Sequence, residues 1–451
     1  MDFTEKEYNA LVEDIFRRFP SVQKSAFQDA YKPGLGQMDL FDEALGRPSR
    51  AFRSIHIAGT NGKGSVSHML ASALSTAGMK TGLYTSPHLL DFRERARCFP
   101  GGLVPKDYVF GFLTRWKPYF EEHRLSFFEI TTGLAFRYFA DCGVDVAVVE
   151  TGLGGRLDST NILPSPELTV ITSIGLDHCD ILGHTLGEIA AEKAGIFKDG
   201  TPALIGESNP ETDSVFEETA WMRCPISFAD RMELSLGYRS AEILRSMDLR
   251  GEYQMNNLRT VLAAVDILKK RPGFEPLQND TAVLDGIVHA AGRTGLRGRW
   301  EKVSDLPYVI CDIGHNPPAL KYNFAQLQRM LSEGECSSLL IVYGVMADKD
   351  LDSILPLMPA DATYIFTTPD TPRALPSEEI LSRYNAFCAS IGRSPRAYSS
   401  GSVREAVNMA ITLARNYSEQ LDRSASASKP VPALIYIGGS TFVVADALPL
   451  F

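Results

Sequence analysis

Residues 58–65 read AGTNGKGS, directly after the apolar run 52–57 and directly before the small-residue stretch VSHMLASALSTAG at 66–78. A glycine-rich turn between a buried strand and a helix lets backbone N–H groups approach an anion without Cβ clashes. The helix that follows adds the positive end of its dipole. Lys63 then reads as a point charge on phosphate oxygens, and Ser65 as a hydroxyl for Mg2+. The spacing departs from the common phosphate loop, G-x-x-x-x-G-K-[ST]. Only Thr60 and Asn61 separate Gly59 from Gly62, and Gly64 stands between Lys63 and Ser65. The competing reading is a plain strand-to-helix turn, but such a turn has no use for the lysine.

Outward from this loop, short apolar runs alternate with helical stretches. Strands are expected at 54–58, 81–84, 144–149, 169–174 and 202–205, and a second set at 308–311, 339–343, 363–366 and 434–437. Continuous apolar runs of this length suit parallel sheets covered by helices on both faces. Helices are expected at 5–19, where Tyr8, Leu11, Val12, Ile15, Phe16 and Phe19 form one apolar stripe, and at 318–332, 377–391 and 402–416. The pattern gives an α/β protein: a mostly parallel P-loop-type sheet domain over 1–296, opened by a short helical segment, then a smaller Rossmann-like α/β domain over 297–451. The seam falls in the arginine- and glycine-rich stretch 290–303. Residues 31–36 (YKPGLG) read as a turn, and 418–430 as an exposed loop.

A chain of 451 residues has room for two or three domains with proper cores. Its net charge of -10 argues against a general nucleic-acid binder, which needs a basic face. No stretch approaches the roughly 18 apolar residues that span a bilayer, and the acidic start MDFTEKEYNALVEDIF has no signal-peptide pattern. Seven scattered cysteines without a C-x-x-C read as free thiols of a reducing cytoplasm.

Three further stretches place chemistry at strand ends, where open parallel sheets bind ligands. In VDVAVVETGLGGRLDSTN (144–161) a strand ends in Glu150, well placed for a hard cation, with Arg156 and Asp158 in the loop beyond. In TVITSIGLDHCDILGHTLGEIAAEKAGIFK (169–198) the strand is followed by Asp177 and His178, and two adjacent strands ending in Glu150 and His178 would make a metal site. Lys193 lies among small and apolar neighbours; it either snorkels to solvent or has a lowered pKa and takes up CO2 as a carbamate. Gln254, Asn256 and Asn257 open a helix, where amides either cap it or read a purine edge. Asp312 and His315 follow the strand 308–311.

Together, HIAGTNGKGS, TSPHL…RER, FFEITTGLAFRYF, VVETGLGGRLDSTN, AEKAGIFK, GEYQMNN, GRWE, DIGHNPPAL and ADKD occur in an order that resembles the folylpolyglutamate synthase/dihydrofolate synthase family, within the wider group of Mur ligases. The resemblance runs from about residue 35 to the end of the sequence. It departs from the pattern in having Arg297-Gly298-Arg299 where the family often has Pro-Gly-Arg, and Ile313-Gly314 before the histidine of GHN.

The resemblance implies an ATP-dependent amide ligase. A carboxylate of dihydropteroate or a reduced folate is phosphorylated, and the amine of L-glutamate displaces phosphate. Gly59, Thr60, Asn61, Gly62, Lys63, Gly64 and Ser65 would hold the ATP phosphates; Asn257, Arg299, Asp312 and His315 would hold adenine, phosphate and ribose. Ser65, Ser86 and Glu150 would serve one Mg2+, and His178 a second, together with a carbamate on Lys193; a monovalent cation is a further candidate. Lys63, Glu150, His178 and Lys193 form the catalytic set. Ser86, Pro87, His88, Arg93 and Arg95, with Arg156, would receive the pteroate or folate. A monomer is expected, with no nucleic-acid or membrane partner. The alternatives are a Mur ligase acting on a UDP-muramoyl peptide, and a nucleotide-binding protein with a dead site.

Overall fold

The computed structural model describes residues 3–19, 34–422 and 431–451, so residues 31–33 of the expected turn at 31–36 and the tract 423–430 lie outside the described residues. The chain divides into two compact units, one of residues 1–248 and 254–296, the other of 249–253 and 297–451.

The first unit is built on an eight-stranded sheet of order β4-β3-β2-β5-β1-β6-β7-β8. Its strands are β1 (Arg53–Ala58), β2 (Thr81–Tyr84), β3 (Ala96–Phe99), β4 (Gly102–Leu103), β5 (Val146–Glu150), β6 (Leu168–Ile171), β7 (Ala203–Ile205) and β8 (Ile226–Phe228). All pairings are parallel except β2 with β3 and β3 with β4. The antiparallel edge was not expected from the sequence, because Arg95 and Arg97 break the apolar signal there. The second unit carries a six-stranded sheet of order β13-β12-β11-β14-β10-β9. Its strands are β9 (Glu301–Ser304), β10 (Tyr308–Asp312), β11 (Leu339–Tyr343), β12 (Ala362–Thr367), β13 (Ala397–Ser400) and β14 (Leu434–Gly438), with β9 alone antiparallel.

Two expectations are corrected. The seam is less irregular than its glycines imply: Ala290–Thr294 is helical and Glu301–Ser304 is β9, leaving only 295–300 as the turn. The helix expected to stop at 416 runs over Val403–Asp422, so 418–422 is helical instead of loop, Glu419, Gln420 and Leu421 being good helix formers.

Helix α1 (Glu5–Arg18) starts at a capping box between Thr4 and Glu7 and buries Tyr8 and Ile15, with Leu11, Val12 and Phe16 packed beside them. A second helix, Gly36–Ala44, also precedes the sheet. The phosphate-loop helix α2 (Lys63–Thr76) is buried continuously from Gly64 to Leu74, which explains its serines and alanines: it has no solvent face to mark. Helix Asp280–Val288 packs against it so closely that a Cβ on Gly286 would lie 2.7 Å from both Ala73 Cα and Ser72 O. Ser72 Oγ donates to Gly286 O at 2.7 Å across this contact. Because the obstacle is backbone, Gly286→Ala is expected to lower unfolding free energy by about 1–3 kcal/mol, as over-packing does. Urea denaturation followed by tryptophan fluorescence and far-UV circular dichroism checks this.

Candidate active site

Strand β1 sits in the middle of its sheet, between β5 and β6, so the loop that follows it emerges at the centre of the carboxyl edge. Glu150 and His178 therefore do not end adjacent strands, as the sequence reading supposed. Their strands β5 and β6 lie on opposite sides of β1, and His178 lies seven positions beyond the last residue of β6, held in the left-handed region at φ 53°.

The loop is docked on the 172–175 segment after β6. Thr60 N donates to Ser173 O at 2.7 Å, and Thr172 Oγ1 donates to Asn61 O at 2.6 Å. Thr60 Oγ1 donates to Gly175 O and accepts from Gly175 N, both at 3.1 Å. The approach is possible only for glycine: a Cβ on Gly59 would lie 1.9 Å from Thr172 Oγ1. Gly62, at φ +86°, caps α2, and a Cβ there would stand 2.2 Å from Asn257 Oδ1. The first N–H groups of α2, from Lys63 onward, thus open at the loop.

Two lysines converge on this turn. Lys63 Nζ donates to Gly59 O at 3.0 Å and to Thr60 O at 3.3 Å, and Lys193 Nζ reaches the same Gly59 O at 2.9 Å. Lys193 belongs to α3 (Leu186–Ala194), which begins at a capping box between Thr185 and Glu188. Burial, assisted by the nearby Lys63 charge, pushes Lys193 from its ordinary 10.5 down to about 7, against the opposing pull of Asp177 and Asp158. The alternative of a solvent-snorkelling lysine does not hold, since the residue is 4% exposed.

Glu150, at the end of β5, is buried and accepts a hydrogen bond from Ser86 N at 3.1 Å, bringing these two expected metal residues together. The glycine loop after it is held by Asp158. That carboxylate accepts from Gly152 N, Leu153 N and Thr160 N, and from Thr160 Oγ1 at 2.5 Å. Thr160 Oγ1 in turn pairs with Nε2 of His56 at 2.8 Å. Burial lowers His56 to about 3, so the ring is neutral and donates through Nε2. This relay, and the Thr172–Ser173 staple, escaped the sequence reading; the hydroxyl-rich runs STN at 159–161 and TS at 172–173 were the available signal.

The 86–95 loop is braced from within. Glu94 accepts from Leu89 N, Leu90 N and Asp91 N at 2.7 to 2.9 Å. Arg93 is paired with Asp91, and Arg95 is buried over the Phe127 ring with its Nε 2.8 Å from His88 Nδ1. Burial and the Arg95 charge hold His88 at about 3, hence neutral. Pro87 stands exposed on this loop. Arg156 is engaged elsewhere, in an exposed pair with Glu192.

In the second unit, Asp312 ends β10 with every acceptor position used. Tyr253 Oη and Trp300 N donate to Oδ2, both at 2.8 Å, and Gly314 N and Asn323 Nδ2 donate to Oδ1, both at 2.7 Å. Its direct work is to fix the turns that carry Arg299 and His315. Among the described residues Arg299 reaches carbonyls of its own turn, and His315 Nδ1 pairs with Ile313 O at 3.0 Å. Among the described residues no three His, Cys, Asp or Glu side chains form a metal-binding group, so a cation here would draw on hydroxyls and on ligand oxygens.

A central-strand phosphate loop with two convergent lysines, in a unit followed by a second parallel-sheet unit, defines an ATP-dependent ligase of the Mur type. Residues 57–265 match the Mur ligase middle domain and 298–418 the Mur ligase glutamate ligase domain. The chain is 32% identical over 454 residues to the dihydrofolate synthase/folylpolyglutamate synthase of Mycobacterium tuberculosis, covering 93% of this chain and 90% of that protein. Its fold is similar to that of the Mycobacterium tuberculosis folylpolyglutamate synthase complexed with ADP, with a TM-score of 0.80, 28% identity and coverage of 99% and 98%. A bifunctional folylpolyglutamate synthase/dihydrofolate synthase from Yersinia pestis, complexed with AMPPNP and a Mn ion, matches with a TM-score of 0.74, 25% identity and coverage of 98% and 97%. The chain belongs to the folylpolyglutamate synthase/dihydrofolate synthase family. Among the described residues no helix is long and apolar enough to cross a membrane.

The lowered Lys193 pKa has a thermodynamic consequence. Between pH about 7 and 10.5 the unfolded chain binds a proton at this lysine that the folded chain does not. Stability therefore gains a component that rises with pH across that window and is flat below it. Lys193→Met is expected to remove this component, so the wild-type-minus-variant stability difference should climb between pH 7 and 10. Urea unfolding at fixed pH values measures it; a pH-independent difference would reject the buried-amine assignment.

Proposed function

We propose that this ligase joins L-glutamate to dihydropteroate and to reduced folate (poly)glutamates in the cytoplasm, with the first unit's carboxyl edge as its phosphoryl-transfer site. The convergence of Lys63 and Lys193 on Gly59 O at the start of a buried helix carries the reading. The substrate carboxylate attacks the γ-phosphorus of ATP, forming an acyl phosphate and releasing ADP. The amine of glutamate then attacks the acyl carbon, and phosphate leaves as the amide forms. No covalent enzyme intermediate is needed, so the chain acts by positioning and by charge. Residues 59–65 supply N–H donors to the phosphates, and Lys63, folded over its own loop, is placed to swing its ammonium onto them. The pteroate or folate is assigned to the braced 86–95 loop, where Arg95 is held ready by Phe127 and His88. Asn257, Arg299 and His315 keep the nucleotide role that the resemblance implies, Asp312 acting through the turns it fixes.

The donor set fits a hard divalent cation. The Glu150 carboxylate and the Ser65 hydroxyl are almost fully buried, and the Thr151 hydroxyl next to Glu150 is buried with no hydrogen-bond partner among the described residues. Ser65, Ser86 and Glu150 would hold one Mg2+, and His178 a second. When bound, such a cation neutralises phosphate charge. At pH near 7 about half of Lys193 is the neutral amine, which adds to CO2 to give a carbamate and a proton. That would place an anion beside Lys63 and add an oxygen ligand for the second cation. The seven free cysteines fit a reducing cytoplasm.

An ADP-release assay with L-glutamate tests the reading. ADP should form only when dihydropteroate or tetrahydrofolate is also present, and each should be tried in parallel. Release driven instead by a UDP-muramoyl peptide would transfer the chain to the cell-wall branch. Lys193→Ala is expected to lose at least about a hundredfold in kcat, on the scale of a removed charge-stabilising group, and to regain part of it with acetate or formate if a carbamate is the working group. Absence of rescue would argue for the plain amine.

A further inference from the structure

Gln254 opens helix α4 (Gln254–Leu268) and is 0% exposed, yet neither its packing nor helix capping accounts for its amide. Its Nε2 donates to Ser65 Oγ at 3.2 Å, and its Oε1 accepts from Asn257 Nδ2 at 2.8 Å. Ser65 and Asn257 are themselves 1% and 6% exposed. Asn257 Oδ1 in turn occupies the space that a Cβ on Gly62 would fill. A chain of two buried amides thus runs from the loop glycine to the loop hydroxyl. It ties α4 to the phosphate loop at both ends.

We infer that Gln254 is a positioning residue for the cation that accompanies the nucleotide, acting by fixing the Ser65 hydroxyl. A serine side chain has three staggered rotamers of similar energy. The incoming N–H selects the one that leaves Oγ at the Gln254 side of the loop. It uses one lone pair of that oxygen and leaves the other lone pair and the proton available. A buried amide can do this without adding charge to a site that must accept both phosphates and a cation. Asn257 Nδ2 donates to Gln254 Oε1, which turns the Nε2 of the same amide toward Ser65. The residue contributes nothing directly to substrate, so its effect should appear only where Ser65 has work to do. The inference rests on the proposed phosphate-loop reading, in which Ser65 is a ligand of the nucleotide-associated cation.

The test is calorimetric titration of the full chain with AMPPNP, once with excess Mg2+ and once in EDTA. Gln254→Met keeps volume and removes the amide. Gln254→Asn keeps the amide but draws it one methylene short of Ser65, and serves should the first variant fold poorly. Each should weaken binding about fivefold in Mg2+, the value of one hydrogen bond, and change it less than twofold in EDTA. Ser65→Ala should show the same metal-dependent loss, and Gln254→Met/Ser65→Ala no loss beyond it. Equal weakening with and without Mg2+, or additive losses in the double variant, would overturn the inference. So would wild-type affinities in both Gln254 variants while Ser65→Ala alone loses the Mg2+ effect. Failure of the wild type to bind AMPPNP, or a Ser65→Ala variant indifferent to Mg2+, would overturn the phosphate-loop reading itself and the inference with it.

Discussion

The close seating of the 59–62 turn on the 172–175 segment is the contact on which the site depends. It brings backbone to within a distance that leaves no room for a Cβ at Gly59, and the Thr172 hydroxyl takes up the Asn61 carbonyl in the gap. With that turn fixed, the Gly59 carbonyl becomes the common acceptor of two lysines, and α2 begins at the point where its free N–H groups are useful. Moving the turn outward by the width of a methyl group would break all three arrangements together. Lys193 would lose its acceptor in a place too dry to hold a charge.

A second organising principle is that each glycine-rich loop is held by buried acceptors behind it. Asp158 gathers three backbone N–H groups and the Thr160 hydroxyl beneath the loop after Glu150, and a neutral His56 completes the relay. Asp312 does the same for the turn and loop after β10 in the other unit. Such carboxylates cost desolvation and return it only because every oxygen is saturated. The benefit is loop backbone whose N–H groups stand in fixed places before any ligand arrives, which is what electrostatic preorganisation requires.

Much of this was legible in the sequence. The tight glycine turn between β1 and α2 announced itself by its lysine and glycines, and the parallel cores by continuous apolar runs such as VAVVE and LLIVY. Lys193 stood out for its apolar neighbours. What the sequence hid was of one kind. The antiparallel edge β3–β4 carries buried arginines, the end of the helix Val403–Asp422 runs on into a polar, serine-rich tract, and the adjacency of strands is not a local property. Placing Glu150 and His178 on neighbouring strands followed from their order along the chain, and β1 inserting between them reversed it. Asp312, which the resemblance puts at the nucleotide, has four internal donors on its carboxylate and so holds the turns around it.

The sequence by itself determined the alternation of strand and helix, the loop chemistry, the net negative charge and the family resemblance, because each is written in residue type and spacing. Tertiary structure alone decided which strand lies between which, that Lys193 is buried enough to lose most of its basicity, that Asp158 and Asp312 face inward, and that Gln254 reaches Ser65 across 189 positions of chain. Those outcomes depend on distance in space and on exclusion of water, and neither is a function of nearest neighbours along the chain.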